Sequence, residues 1–373
     1  MSKIGNTENV MIGPLRSVYR FALMMACALM MTLPMALGDE PDIAAETEAK
    51  PTPVHPFDMR PQPWQRRDDP VLSASTTRQP WCKVVLYSPS VLFKDGKFKM
   101  WYVGTSAGSR STDFSLGYAE SDDGIQWNEY AGNPIATPQD IGWGIYMQTP
   151  FVMFDEDEQI YKMWFSSATK AVYSEKAKRM VGADRPLGYA TSPDGIEWKF
   201  HPKPIYDSSR SPCVWKLGPK SYRMWMNVDL ARIYEFTSSD GIQWQRASKP
   251  AVQVSGASKS CIYPFVIHEN GRYYMWYGCH RPEGIFEIFC ATSPDGSSWS
   301  VDHERAAFPA SRKKDRFDGR YTSIPSVLSL PDRYMLYYAP RDWRNTYLMP
   351  DGSRGRDGAG VYAHIGVAVI PKK

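Results

Sequence analysis

Five carboxylates stand where sister positions along the chain carry other residue types: Asp229, Glu235, Glu283, Asp318 and Asp342. Two carboxylates held beside one acetal can cleave it. The protonated one gives its proton to the leaving oxygen, and the ionised one activates water or attacks the acetal carbon. Asp229 and His280 hold equivalent positions, each the fifth residue beyond a strand methionine, where Thr105, Ala168 and Pro340 stand elsewhere. Glu283 follows His280-Arg281, Asp318 and Arg320 lead into an inner strand, and Arg341-Asp342 leave the strand after it. Glu235 is the oddest, because its counterparts are Tyr118, Tyr189, Cys290 and Val367. A carboxyl in so apolar a place would have its pKa raised, as a proton donor requires. An ion pair with Arg232 is the alternative. Arg210, Arg320 and Arg341 either clamp an acidic ligand or balance these acids.

These equivalences rest on a repeat. The stretch Met100 to Trp127 reads as an apolar strand, a polar excursion, a second strand, an Asp-Gly turn and a closing tryptophan. The same order recurs from Met163 to Trp198, from Met224 to Trp244 and from Met275 to Trp299, with a weaker copy from Met335 to Ala368. A Pro-x-Val strand precedes each copy, at Pro89, Pro150, Pro212, Pro264 and Pro325. Tandem units made of strands predict a β-propeller. The expectation is an all-β, five-bladed β-propeller with four antiparallel strands per blade. The last copy has no Asp-Gly-x-x-Trp of its own. The segment at Trp64, which matches the final strand of the other units, would complete that blade, close the ring and remove its open edges.

Nine of the thirteen tryptophans occupy repeat positions and read as core. In antiparallel order the Asp-Gly turns collect on one face, and the longer, uneven loops on the other, as a binding face requires. Trp81, Trp143 and Trp343 fall in those loops, with Tyr87, Tyr146 and Tyr321. With Arg210, His280, Arg320 and Arg341 they form the expected substrate-binding set, since aromatic faces suit the apolar faces of sugar rings.

The repeated Pro-x-Val, Asp/Asn-Gly, Met-Trp-Tyr and Gly-Tyr-Ala-x-Ser-x-Asp-Gly-x-x-Trp pattern resembles the five-bladed propeller glycoside hydrolases of families 43 and 32. Those are the arabinofuranosidase, xylosidase and invertase relatives. The likeness covers residues 64–373. It implies hydrolysis of glycosidic bonds in a polysaccharide or oligosaccharide by a carboxylate pair at the mouth of a central channel. Family members carry acids just before the proline of the early inner strands, where this chain has Ser88, Thr149 and Ser211. The alternative is therefore a propeller that binds carbohydrate without cleaving it.

Charge and composition narrow the rest. The formal net charge is +4, and Lys3, Arg16 and Arg20 against Glu8 supply half of it, so there is no nucleic-acid footprint. Residues 1–38 read as a signal peptide: a basic start, the apolar run FALMMACALMMTLPMAL and a small-x-small site ending at Gly38. The mature protein is then exported, periplasmic or secreted, without a stable membrane span. Residues 39–63 read as a proline-rich linker and 64–373 as the propeller. Five cysteines remain after cleavage, at strand rather than metal-type spacing, and read as small buried hydrophobes. No metal site or cofactor is expected.

Overall fold

The computed structural model describes residues 54–108, 111–170, 172–174, 179–181, 184–358 and 360–372. The signal peptide and most of the proposed linker lie outside them. The all-β expectation holds, with a single α-helix among the described residues, Pro138–Ile141. Near the start are β1 (Gln65–Arg66) and β2 (Leu72–Ser73). The first repeat forms β3 (Val85–Lys94), β4 (Lys97–Thr105), β5 (Ser115–Ser121) and β6 (Asn128–Glu129). The second forms β7 (Gln148–Asp155) and β8 (Ile160–Ser166), a hairpin of β9 (Val172–Ser174) and β10 (Arg179–Val181), then β11 (Leu187–Ser192) and β12 (Lys199–Phe200). The third forms β13 (Arg210–Gly218), β14 (Ser221–Asn227), β15 (Arg232–Ser238) and β16 (Gln245–Gln253). The fourth contributes β17 (Ile262–Glu269), β18 (Arg272–His280) and β19 (Phe286–Ser293). The fifth contributes β20 (Tyr321–Ser329), β21 (Arg333–Arg341), a hairpin of β22 (Thr346–Leu348) and β23 (Arg354–Arg356), and β24 (His364–Pro371).

Within each repeat the strands pair antiparallel in sequence order. The first strands touch one another in the order β3, β7, β13, β17, β20 and again β3. The hairpins Asp95-Gly96 and Asn270-Gly271 have both residues at positive φ (53° and 76°, 51° and 75°), the backbone that tight two-residue turns need. The N-terminal segment pairs with the last strand, Gln65 opposite Val369 and Leu72 opposite Ile365, so β1 is the outer neighbour of β24. Residues 54–63 are not loose chain: Phe57 is fully buried against Trp64, Tyr274, Trp276 and Tyr334.

One contact joins each repeat to the next. The indole N–H of Trp101, Trp164 and Trp225, all fully buried, donates to the carbonyl of Gly195, Gly241 and Gly296 at 2.7, 2.8 and 3.0 Å. Each of those glycines sits in the next repeat's Asp-Gly turn. Its carbonyl also accepts the indole of its own turn, from Trp198, Trp244 and Trp299. Trp276 has no such turn ahead of it and donates instead to Gln62 Oε1 at 2.9 Å, which also takes the Trp64 indole at 2.7 Å. Tyr337 Oη then reaches the Gly124 carbonyl of the first repeat at 2.8 Å.

A buried ion cluster fixes the N-terminal segment. Asp318, with no exposed side chain, accepts from Arg66 at 2.8 Å, Arg316 at 3.0 Å and Tyr338 Oη at 3.2 Å. Burial opposes its charge, but Arg66 and then Arg316 keep its pKa below the usual carboxylate value. Asp318→Asn would leave two arginines short of their counter-charge and should cost about 3–5 kcal/mol in a denaturant titration. Because the folded pKa is depressed, the wild-type contribution should be complete above about pH 4 and fade as pH falls further, a slope the variant should lack. Deleting residues 39–75 should give an insoluble or sharply less stable chain, since it exposes the edge of β24. Unchanged melting of that truncation would overturn the role given to Trp64.

Candidate functional site

Every inner strand breaks register at the same place. The residue before the proline has positive φ in all five repeats: Ser88 59°, Thr149 44°, Ser211 52°, Tyr263 63° and Ile324 50°. The ladders slip there, between Tyr87 and Ser90 in the first repeat and equivalently in the others. A following proline disfavours the right-handed helical region, and the extra residue makes a β-bulge, a device that re-aims side chains near functional sites. An isoleucine at φ 50° is strained, and repetition at five places marks the strain as part of the architecture. The five prolines converge on a cavity of about 20 Å³, also lined by Thr149, Ser211 and Tyr263. That is room for about one water molecule. A ligand larger than water must therefore sit over it rather than pass through.

Packed against Ile324 and Tyr263 of the pre-proline series is a cluster of tyrosines and arginines, in which Tyr87, Tyr146 and Tyr321 are buried. Tyr87 stacks on Tyr362 with centroids 5.0 Å apart and planes 7° from parallel. The Arg341 guanidinium lies 3.7 Å above the Tyr362 ring and 5.0 Å above Tyr321. Arg185 Nη1 donates to Tyr146 Oη at 3.2 Å. Arg210 opens β13 opposite Asn227, whose Oδ1 accepts from the Tyr263 N–H at 3.3 Å. His280 shares a 2.9 Å hydrogen bond with Ser260 Oγ and turns its ring edge to Phe286 and Tyr321. Burial, then Arg341 and Arg320, bring its pKa down to about 4, so it is neutral near pH 7. Of the expected substrate-binding set, Tyr87, Arg210, His280, Arg320, Tyr321 and Arg341 lie in this cluster. Arg185, Tyr263 and Tyr362 were not among the predicted set. Tyr263 alone carried a legible signal, as the fourth residue of the pre-proline series.

The loop tryptophans divide. Trp81 stacks on Tyr102 and lies against Gly104 and Gly117, where a Cβ would come within 3.0 Å of its ring. Trp143 stacks on Phe165 and donates to the His201 carbonyl at 3.0 Å. Both are packing residues here, half-buried beneath their loops. Trp343 stays 38% exposed, with the Arg320 guanidinium 5.6 Å from its ring.

No hydrogen bond or ion pair joins any two of the five acids, and four of them are paired with arginines. Glu235 pairs with Arg223 at 2.7 Å, not with Arg232, and accepts from Ser297 in the next Asp-Gly turn, at the opposite end of the strands. Asp318 belongs to the buried ion cluster. Asp342 pairs with Arg344 beside a 790 Å³ depression that His364 and Tyr347 also line. Glu283 is exposed on its loop. Asp229 is the one in electrostatic reach of Arg210. Burial raises its pKa, but the N–H groups of Ala231 and Arg232 and the Arg232 side chain outweigh this and hold it ionised. The five cysteines among the described residues are buried and free.

No protein-family model matches the chain. An uncharacterized protein of Mycobacterium tuberculosis is 29% identical over 129 residues, a match covering 31% of this chain and 42% of that protein. Among solved structures, a glycosyl hydrolase from Bacteroides ovatus aligns with a TM-score of 0.62 at 16% identity, covering 86% of this chain and 98% of its own. A structure from the family 130 mannoside phosphorylases, said to include glycoside hydrolases that target β-1,2 mannosidic linkages, gives 0.60 at 15% identity over 85% and 95%. An α-L-arabinofuranosidase from Podospora anserina gives 0.58 at 13% identity over 83% and 97%. The chain therefore shares a propeller-like β fold with glycoside hydrolases.

Trp81→Ala and Trp143→Ala should each destabilise, up to about 3–5 kcal/mol, whereas Trp343→Ala should leave thermal unfolding unchanged. The His280 and His364 pKa values near 4 lie below the unfolded value, so stability should fall as pH drops from about 6.5 toward 4. His280→Gln should flatten part of that slope in melting curves taken across the range.

Proposed function

We propose that this chain is an exported, carbohydrate-active five-bladed β-propeller of the glycoside hydrolase kind, its ring closed by the segment around Trp64. The pairing of β1 with β24 and the cyclic contacts of the inner strands support five blades and closure. The observation that carries the function is the cluster of tyrosines and arginines packed beside the five pre-proline bulges, set in a fold shared with glycoside hydrolases over more than four-fifths of the chain. Tyrosine rings beside hydrogen-bonding groups suit a sugar with one apolar face and a hydroxylated edge. For hydrolysis, Asp229, held ionised, suits the carboxylate that activates water or attacks the anomeric carbon. The motif likeness to families 43 and 32 points to the same reaction class.

A second reading, binding without cleavage, is favoured by one observation. The five pre-proline positions carry Ser88, Thr149, Ser211, Tyr263 and Ile324, and none is a carboxylate. Incubation with a panel of plant, fungal and bacterial glycans should release reducing ends under the first reading, and Asp229→Asn should slow release about 10²–10⁴-fold. The Asp123, Asp194, Asp240 and Asp295 turns lie at the far end and serve as controls whose amides should change stability alone. Retention of glycans without release would favour the binding reading, and neither would refute both. N-terminal sequencing of exported protein should find a start near Asp39, the expected product of signal cleavage.

A further inference from the structure

Arg185 and Arg210 share electrostatic neighbours, each acting on Tyr146 and Tyr263. Arg185 bridges Ser208 through the backbone, and the Ser209 N–H donates to the Arg185 carbonyl, so Arg185 and Arg210 enter from adjacent segments. Arg210 is half-buried, and its guanidinium makes no hydrogen bond or ion pair with any described residue. Burial, then the neighbouring Arg185, lower its pKa from the ordinary value, the mark of a cation short of counter-charge. The nearest carboxylates are occupied elsewhere. Asp229 is committed to Arg232 at 2.6 Å and to two backbone N–H groups. Asp184 is held by Thr169 and the Lys170 N–H. Next to Arg210, the Ser211 hydroxyl is more than nine-tenths buried at the cavity and has no partner, and the Ser88 hydroxyl repeats this in the first blade. Buried hydroxyls without a partner are costly unless a ligand or water satisfies them.

We infer that this site selects a sugar bearing an oxyanion, a uronate carboxylate or a sulfate ester, gripped by Arg185 and Arg210 beside Tyr146 and Tyr263. The inference rests on the carbohydrate reading above and adds the sign of the ligand's charge. The planar guanidinium fork matches either oxyanion through paired N–H···O bonds, and the bound anion offsets the repulsion between the two cations. A neutral sugar would leave that repulsion in place.

The test is binding calorimetry on the full mature chain. Probes are oligogalacturonate, oligoglucuronate and oligomannuronate against their carboxyl-reduced neutral counterparts, and sulfated galactan oligosaccharides, whose only charges are sulfate esters, against their desulfated neutral forms. At least one anionic probe should bind about 10–100-fold tighter than its neutral partner, in the range of charged hydrogen bonds, and more weakly as salt rises. The arm that responds tells carboxylate from sulfate. Arg210→Gln should bring that probe to the neutral level without lowering the melting temperature, and Arg210→Lys should retain part of the preference. Equal binding of anionic and neutral partners would overturn the oxyanion inference and leave the carbohydrate reading standing. Anionic preference that survives Arg210→Gln, or a variant that melts lower because Arg210 is structural, would overturn the clamp. Binding of no probe, together with silence across the glycan panel, would overturn both readings.

Discussion

A glycine carbonyl that accepts two indole N–H groups is the contact on which the arrangement of these sheets depends. Gly195, Gly241 and Gly296 each take one indole from their own turn and one from the preceding repeat. A buried indole N–H without an acceptor costs about 1–3 kcal/mol, so neighbouring sheets cannot slide without losing it. The turn must place its carbonyl well, and it does so by cooperation of its own residues. Ser121 caps the Gly124 N–H, Asp123 Oδ1 takes the N–H groups of Ile125 and Gln126, and Gly124 adopts φ 77°. The same geometry recurs at Asp194, Asp240 and Asp295. Where the fifth repeat lacks the turn, an amide oxygen substitutes for the carbonyl. Gln62 is fixed by its own bond to the Phe57 carbonyl and takes both indoles.

That latch lies at one end of the strands and leaves the other end free for recognition. The inner strands are held at their centres by a different device. Val152 N–H donates to Ser90 Oγ, Val91 N–H to Ser326 Oγ and Val266 N–H to Cys213 Sγ. This accounts for a cysteine at an inner-strand position without invoking redox or metal chemistry. Beyond it the pre-proline bulges turn the backbone, and the residues preceding them, Tyr87 and Arg210 among them, rise to the rim. Rigid sheets thereby present side chains that short, variable loops could not hold in place.

Charge is distributed by depth. Buried acids such as Asp155 and Asp318 are ionised and fully paired, to Lys162 and Lys216 in one case and to Arg66 and Arg316 in the other. These clusters tie repeat to repeat. At the start of β13, by contrast, the Arg210 guanidinium has no ion pair among the described residues. An acid's environment therefore decides its role more than its identity does. Glu235 looked anomalous in an apolar position, but Arg223 and Ser297 satisfy both its oxygens.

The strand repeats were legible in the residues because this fold is built by repetition. Period-two strands, Asp-Gly turns and Met-Trp-Tyr cores recur in register, so each copy reinforces the reading of the others, and the orphan segment at Trp64 could be matched to the unit lacking its last strand. The gathering of Tyr87, Arg210, His280, Arg320, Tyr321 and Arg341 was legible for the same reason, since each could be assigned to a strand end. Which side chains meet across repeats could not be read from register. Arg185 and Tyr362 lie in irregular segments without sister positions, so register could not place them. Trp81 and Trp143 occupy loops that fold back onto Tyr102 and Phe165, and a loop's path depends on packing over the whole sheet. The ionic partners of Glu235, Asp318 and Asp342 were equally hidden. A carboxylate takes the nearest well-placed cation in space, and for Asp318 that includes Arg66, at the far end of the chain.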